Sequence, residues 1–247
     1  MKPNYSQKLT HTSVWHVVPE RIVDARQCEV LISWLSGDER ARMNKFHAAQ
    51  HRHAYLVGHA LVRSALAREL DCDPASLEFE MNPYGKPALA MPSLHPKLEF
   101  NLSHTDGLCV LAMSWHSRLG CDVESLKRRG LDVEIARKFF TPEESEEIAT
   151  HPPEHQIYRL LSYWTLKEAY IKAEGQGLSM GLDSFYFHLL DKCPPRLMLK
   201  NGAQTPTATW IFKQEMLRDD FIFSLAVESK SDTEPKIEIK PADWLEA

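Results

Sequence analysis

The sequence predicts an α+β protein in which one order of elements, a helix followed by antiparallel strands, occurs twice. Two observations carry that expectation. Residues 36–70 have helical spacing, with Arg52, Tyr55, His59 and Arg63 at i, i+3, i+7 and i+11 on one face, and alternating stretches follow at 77–80, 97–102 and 108–115. A second helical stretch, 157–174, stops at Gly175, and strand-like runs follow at 185–190, 207–212 and 221–227. With 247 residues, 43% of them hydrophobic, the chain is long enough for one large domain or two small ones.

Each element has a local cause. Ser36 and Asp38 are N-cap candidates for the first helix, because a short polar side chain can accept a free N–H of the first turn. The turn residues Asn82-Pro83-Tyr84-Gly85 separate the first two strands, and residues 119–124 read as a further strand. Residues 193–206 look like a linker, and the polar tail after Glu228 is expected to be loosely held.

Composition narrows the function. The net charge of −5 argues against a dedicated nucleic-acid binder, whose affinity rests on Lys and Arg against phosphates. An anionic ligand therefore needs a local basic patch. Residues 36–70 provide one, with six Lys or Arg (Arg40, Arg42, Lys45, Arg52, Arg63, Arg68) against three acids and accompanied by four histidines, although a solvated basic face has the same spacing. Five cysteines without a CxxC pair suit neither a disulfide framework nor a zinc ribbon, and read as free thiols in a reducing cytoplasm. Residues 1–10 lack the apolar core of a leader, and no apolar run approaches the ~18 residues of a membrane span. The expectation is a soluble cytoplasmic protein.

Several chemistries are set aside. There is no GxxxxGK[ST] loop, and Gly175-Gln176-Gly177 follows a helix instead of leading into one. Ser103, His104 and Asp106 crowd one strand end too closely to form a hydrolytic triad. His47, His51 and His53 lack the Glu of an HExxH zinc pattern.

The strongest site candidate is acidic. In Gly120-Cys121-Asp122-Val123-Glu124 the two carboxylates leave the same face of a strand and can share a hard cation such as magnesium. Glu168 and Lys172 lie at i, i+4 on one helical face. Taken singly, each pattern is also that of a solvated strand face or an ordinary surface salt bridge.

Order and company change this. The blocks Asn82-Pro83-Tyr84-Gly85-Lys86-Pro87, Phe100-Asn101-Leu102-Ser103-His104, Gly120 to Glu124, Phe139-Phe140-Thr141-Pro142-Glu143-Glu144 and Trp164-Thr165-Leu166-Lys167-Glu168-Ala169-Tyr170-Ile171-Lys172 together closely resemble the Sfp-type 4'-phosphopantetheinyl transferase family. The resemblance implies a pseudo-dimeric α+β monomer, with halves at 1–115 and 116–247 and coenzyme A in the cleft between them. It implies transfer of the 4'-phosphopantetheine group of coenzyme A to a serine of an apo acyl, peptidyl or aryl carrier protein. A magnesium-dependent phosphohydrolase, or a coenzyme A or carrier-binding module without catalysis, are the alternatives.

Carried over by position, the resemblance makes Asp122, Glu124 and Glu168 the magnesium ligands, and Lys172 the cation that holds the pyrophosphate. Glu168, or a metal-bound water beside it, is the implied base. Gly85, Lys86 and Pro87 correspond to the nucleotide-side loop, and Ser103 and His104 to a pair near the 3'-phosphate. Arg52 is the helical candidate for that phosphate. The chain departs from the family at Gly37-Asp38-Glu39, where lysines are common, which leaves Arg42 and Lys45 as alternative nucleotide contacts. The basic segment 36–70 and Lys127-Arg128-Arg129 are candidate faces for acidic carriers.

Overall fold

A computed structural model describes residues 11–91, 96–128, 130–190, 193–200, 209–229 and 235–246, and they form two halves with the same order of elements. The first runs β1 (His11–Val17), α1 (Ala25–Trp34), α2 (Gly37–Met43), α3 (Ala49–Leu70), β2 (Phe79–Met81), β3 (Pro87–Leu89), β4 (Leu98–Thr105) and β5 (Leu108–Trp115). The second runs β6 (Leu119–Ser125), α4 (Glu134–Phe139), α5 (Pro142–Thr150), α6 (Pro153–Glu174), β7 (Phe185–His188), β8 (Arg196–Leu199), β9 (Thr209–Leu217) and β10 (Phe221–Ser229). The pairing repeats as well. Sheet β1-β5-β4 with ribbon β2-β3 in the first half answers to sheet β6-β10-β9 with ribbon β7-β8 in the second.

One strand has no counterpart. β11 (Lys236–Pro241) pairs in parallel with β1, from His11↔Lys236 to His16↔Pro241, so a segment from the far end of the chain completes the first sheet. The tail expected to be loose is therefore held from Lys236 onward. Backbone hydrogen bonds and burial explain this: a short 3₁₀ turn at Asp243–Leu245 follows, with Leu245 inside the core around α3.

The helices follow from their ends. Ser36 caps α2 as expected, accepting from Glu39 N–H while the Glu39 carboxylate accepts from Ser36 N–H. Asp38 is not a cap but lies in the first turn, where its charge meets the positive end of the helix. The basic segment breaks after Met43 and resumes at Ala49, giving two helices. α5 repeats the capping box with Thr141 and Glu144. α3 and α6 are each 22 residues long, and each ends at a left-handed residue, Asp71 (φ 54°) and Gly175 (φ 71°). α6 starts at Pro153, ahead of the expected 157, because proline in a first turn forfeits no helical hydrogen bond.

Strand boundaries shift with their partners. β4 runs on to Thr105 because it pairs with β5 up to Leu108, and β9 reaches Leu217 against β10. β8 lies within the stretch that read as linker, while residues 201–208 lie outside those described.

Period-two alternation sorts the strand residues into layers. On β5, Cys109, Leu111 and Met113 face α3, whereas Leu108, Val110 and Ala112 face the second sheet. On β6, Leu119, Cys121 and Val123 join that inter-sheet core, which leaves Gly120, Asp122 and Glu124 on the face toward α6. The order is helix, sheet, sheet, helix. Among the described residues no helix is long and apolar enough to cross a membrane.

Each long helix is anchored by a buried cation. Arg63 and Lys167 both stand eight residues before the left-handed end of their helix, and both side chains are inside the protein. Arg63 pairs with Glu39 at 2.7 Å, donates to Pro74 O and Leu77 O, and lies over the Phe79 ring. Lys167 pairs with Glu144 at 2.7 Å, donates to Leu182 O and Phe185 O, and lies over the Phe185 ring. The partner acid is in both cases the capping-box glutamate of the preceding short helix. By the same correspondence Ser64 answers to Glu168 and Arg68 to Lys172. Trp244 takes both: its Nε1 donates to Ser64 Oγ at 3.1 Å, and Arg68 lies over its ring. A cavity of about 450 Å³ remains there, lined by Trp15, Arg68, Lys240 and Trp244.

Candidate functional site

The site begins with a glycine on β6. A Cβ on Gly120 would overlap Ala169 O and Ala173 N and stand 2.8 Å from the Lys172 carbonyl carbon. Without it, the backbone of α6 lies directly on β6, and the next residues on that face, Asp122 and Glu124, come under Glu168 and Lys172. The acidic pair and the helical pair of the sequence thus form one cluster.

Within the cluster, Lys172 Nζ lies 2.6 Å from Asp122 Oδ1 and 3.2 Å from Ser103 Oγ, and Ser103 donates to the same carboxylate oxygen at 2.8 Å. Burial opposes the charge on Lys172, yet Asp122, with Cys121 and Glu168, holds its pKa above the ordinary value. Asp122 Oδ2 is buried with no partner. Burial and then Asp122 push Glu168 up, Glu124 adding to the shift and Lys172 opposing it. Burial and Asp122 likewise push Glu124 up, against Arg128, whose guanidinium lies 2.6 Å from Glu124 Oε1.

An orphaned carboxylate oxygen beside two carboxyls that resist ionisation is a site short of positive charge, and three oxygen donors suit a hard divalent cation. Among the described residues no group of three or more His, Cys, Asp or Glu side chains is gathered closely enough to enclose one. Lys172 supplies countercharge at Asp122 Oδ1.

A cleft of about 330 Å³ opens beside the cluster, with Gly85, Lys86 and Pro87 on one wall and Glu168, Ile171 and Lys172 on the other. Five of the expected site residues therefore share one cavity. Lys86, expected to offer its charge to a nucleotide, donates to Leu119 O at 2.9 Å and Ala173 O at 3.4 Å, and burial lowers its pKa. It ties the first half to the start of β6 and the end of α6. Ser103, paired by resemblance with His104, faces the carboxylate cluster, because neighbours on a strand point to opposite sides. His104 lies within electrostatic reach of Lys172 and His59, and burial, followed by Lys172, lowers its pKa. Arg52 donates to Phe46 O and His47 O, fastening the turn before α3. Arg42 and Lys45 are exposed at the end of α2. Arg129 lies outside the described residues, Lys127 pairs with Asp220, and Arg128 is the Glu124 partner noted above.

Four further residues shape the site: the sequence reading places Asn82 and Tyr84 only in a turn and Arg128 only on a candidate carrier face, and gives Thr105 no role. Asn82 Oδ1 accepts from Tyr84 N and Lys86 N while its Nδ2 donates to Gly175 O at 2.8 Å, so one side chain shapes the loop and joins it to the end of α6. The turn Asn82-Pro83-Tyr84-Gly85 is legible in the sequence, whereas the tie to Gly175, far along the chain, is not. Thr105 donates to Glu124 Oε2 at 3.4 Å, and Arg128 and Tyr84 complete the surroundings.

Residues 118–226 match the family described as the 4'-phosphopantetheinyl transferase superfamily, and residues 23–116 match the 4'-phosphopantetheinyl transferase N-terminal family. A 4'-phosphopantetheinyl transferase of Bacillus subtilis is 32% identical over 77% of this chain and 83% of its own length. The 4'-phosphopantetheinyl transferase HetI of Nostoc sp. is 32% identical over 72% of this chain and 74% of its own. The 4'-phosphopantetheinyl transferase Sfp of Bacillus subtilis strain 168 is 31% identical over 71% and 76%. Among solved structures, a holo-(acyl-carrier-protein) synthase from Bacillus anthracis in complex with CoA (3',5'-ADP) is 18% identical, covers 46% of this chain and 96% of its own, and has a TM-score of 0.37.

Proposed function

The chain belongs to the 4'-phosphopantetheinyl transferase superfamily, and on that footing we propose how its cleft performs the transfer. The enzyme moves the 4'-phosphopantetheine group of coenzyme A to a serine of an apo carrier protein and releases 3',5'-ADP. The observation that carries the assignment of residues is the buried, unpartnered Oδ2 of Asp122 beside two carboxyls whose pKa values are raised, at the edge of the cleft.

Asp122, Glu124 and Glu168 would hold magnesium, which when bound supplies positive charge to the pyrophosphate. The remaining work falls to the chain. Lys172, kept protonated by Asp122, presents a point charge to a phosphate oxygen from the cleft wall. Glu168 shares that wall, and its carboxylate is the group placed to accept the serine proton. As the serine Oγ–P bond forms at the β-phosphate, the serine proton goes to Glu168, and the phosphoanhydride P–O bond breaks with its electrons on the departing 3',5'-ADP. His104, with His59 in electrostatic reach of it, would face the 3'-phosphate, and Arg52 on α3 is a further candidate for that phosphate. The loop Gly85-Lys86-Pro87 lines the nucleotide side, with Lys86 holding the two walls at a fixed spacing.

Both walls come from one chain, so a monomer suffices, and the free thiols, two of them exposed, fit the reducing cytoplasm. Mass spectrometry of several apo carrier proteins, incubated with coenzyme A with and without magnesium, tests the proposal. A magnesium-dependent gain of one phosphopantetheine with release of 3',5'-ADP is the expected result. Release of free phosphate without carrier modification would establish a phosphohydrolase instead.

A further inference from the structure

Lys167 immediately precedes Glu168, yet its side chain lies on the other side of α6, fully buried, and reaches neither cleft nor solvent. Its ammonium holds three partners in two separate segments at once: Glu144 on α5 at 2.7 Å, and Leu182 O and Phe185 O, each at 2.7 Å, at the entry to β7. Glu144 is itself fixed, accepting from Phe187 N and Thr141 N. A buried ion pair is a weak source of net stability, since desolvation consumes most of its attraction. Its value here is geometric.

A helix lying on a sheet can turn about its axis and slide along it. Gly120 brings α6 close to β6 but offers no side chain to fix the turn. Lys167 fixes it from behind. The first half has the same anchor in Arg63, with Glu39 and two carbonyls, but the residue that follows Arg63 is Ser64. The repeat therefore separates what the anchor does for folding, which both halves need, from what it does for a carboxylate, which only the second half has.

We propose that Lys167, gripped by Glu144, is a positioning residue for the transfer, setting the rotation of α6 so that Glu168 meets Asp122 and Glu124. The proposal rests on Glu168 being required, as argued above. A constellation of this kind tolerates errors of only about 0.5 Å or 10–20°.

The test compares turnover of an apo carrier protein by wild type and five variants, at saturating coenzyme A and across a magnesium titration, with melting curves alongside. In Lys167→Met combined with Glu144→Leu, apolar groups of similar size remove both charges together, so neither is left buried alone, although the carbonyls of Leu182 and Phe185 and the N–H groups of Thr141 and Phe187 lose their partner and some stability goes with them. We expect kcat to fall about 10–100-fold, the usual effect of losing a supporting shell, and half-maximal activity to need more magnesium, with KM for coenzyme A within ~3-fold. Lys167→Arg, which copies the side chain of the first half, should restore kcat to within ~5-fold of wild type. Arg63→Met should lower the melting temperature and leave kcat per folded molecule within ~3-fold. If the double variant does not fold, Glu144→Gln, which keeps the shape but loosens the grip on Lys167, carries the same expectation of reduced kcat at constant KM. The proposal is overturned by kcat within ~3-fold of wild type in the double variant, or in Glu144→Gln where the double variant does not fold, or by an equal loss of kcat in Arg63→Met. An active Glu168→Gln would instead remove the catalytic reading of Glu168, a separate result from any seen at Lys167.

Discussion

Lys172 Nζ stands 2.6 Å from Asp122 Oδ1, so the cation closest to this buried carboxylate is one of the chain's own side chains. Lys172→Met keeps the bulk and leaves Asp122 without its counterion. Without magnesium the variant should lose roughly 1–3 kcal/mol, less than a fully buried pair would cost because Lys172 is partly exposed. Magnesium should then raise its melting temperature more than that of wild type, toward the ~2.7 kcal/mol expected at a hundredfold excess over Kd. Equal magnesium shifts in both proteins, read by scanning fluorimetry, would remove Asp122 from a cation site.

Glu168 should show function and stability pulling in opposite directions. Its folded pKa is raised by burial and by Asp122, so the native state binds the proton more tightly, and stability falls as pH climbs from the unfolded value of 4.5 through the folded one. Glu168→Gln removes that penalty. The variant should melt at or above the wild-type temperature at pH 8, with a flatter dependence on pH, while carrier modification drops about 10²–10⁴-fold. Near-normal turnover at saturating magnesium would sink the mechanism.

Among the described glycines, Gly120→Ala should be the most damaging added methyl. The new Cβ meets backbone atoms of Ala169, Lys172 and Ala173, which cannot rotate away as a side chain could. A cost at or above the upper end of ~1–3 kcal/mol is expected from overpacking, and a shift of α6 by 1 Å would reduce turnover about 10²-fold. Chemical denaturation paired with single-turnover rates checks both. A variant as stable as wild type would mean that the helix has room to retreat.

The Glu39 anchor predicts acid sensitivity in the first half. Burial works against its charge, but hydrogen bonds from His59 and Arg63 and from Ser36 N–H bring its pKa down to about 2. A depressed carboxyl contributes stability that is complete above its unfolded pKa of 4.5 and is lost as pH falls through 2. Glu39→Gln should therefore cost up to about 3 kcal/mol at pH 7, with the gap to wild type closing toward pH 2. A constant gap across that range, in urea titrations at stepped pH, would count against the pairing.

Much of the site could be read from local pattern. Two carboxylates separated by one residue on a strand must share a face, and Gly175 after a helical run must end it; both hold. Other features depend on what the fold brings together. Helical spacing put Arg63 on a basic face with Arg52, Tyr55 and His59, but spacing does not say whether a face meets water or Glu39. Lys167 sat in plain view within a recognisable block, and its partners Glu144, Leu182 and Phe185 come from elsewhere in the chain. β8 has only four residues, and its pairing with β7 is the reason it is a strand at all. β11 gave no signal either, since its partner lies at the opposite end of the sequence.

The last point bears on how the protein is made. His11 finds Lys236 across nearly the whole length of the chain, so β1 leaves the ribosome long before the strand that covers it. Until then the first half presents an open strand edge, the feature that recruits stray strands from other molecules. Pairing over so large a sequence separation is slow to form. The nascent first half is thus the stage most in need of chaperone attention, and tags or fusions placed near β11 act on the start of the protein as much as on its end.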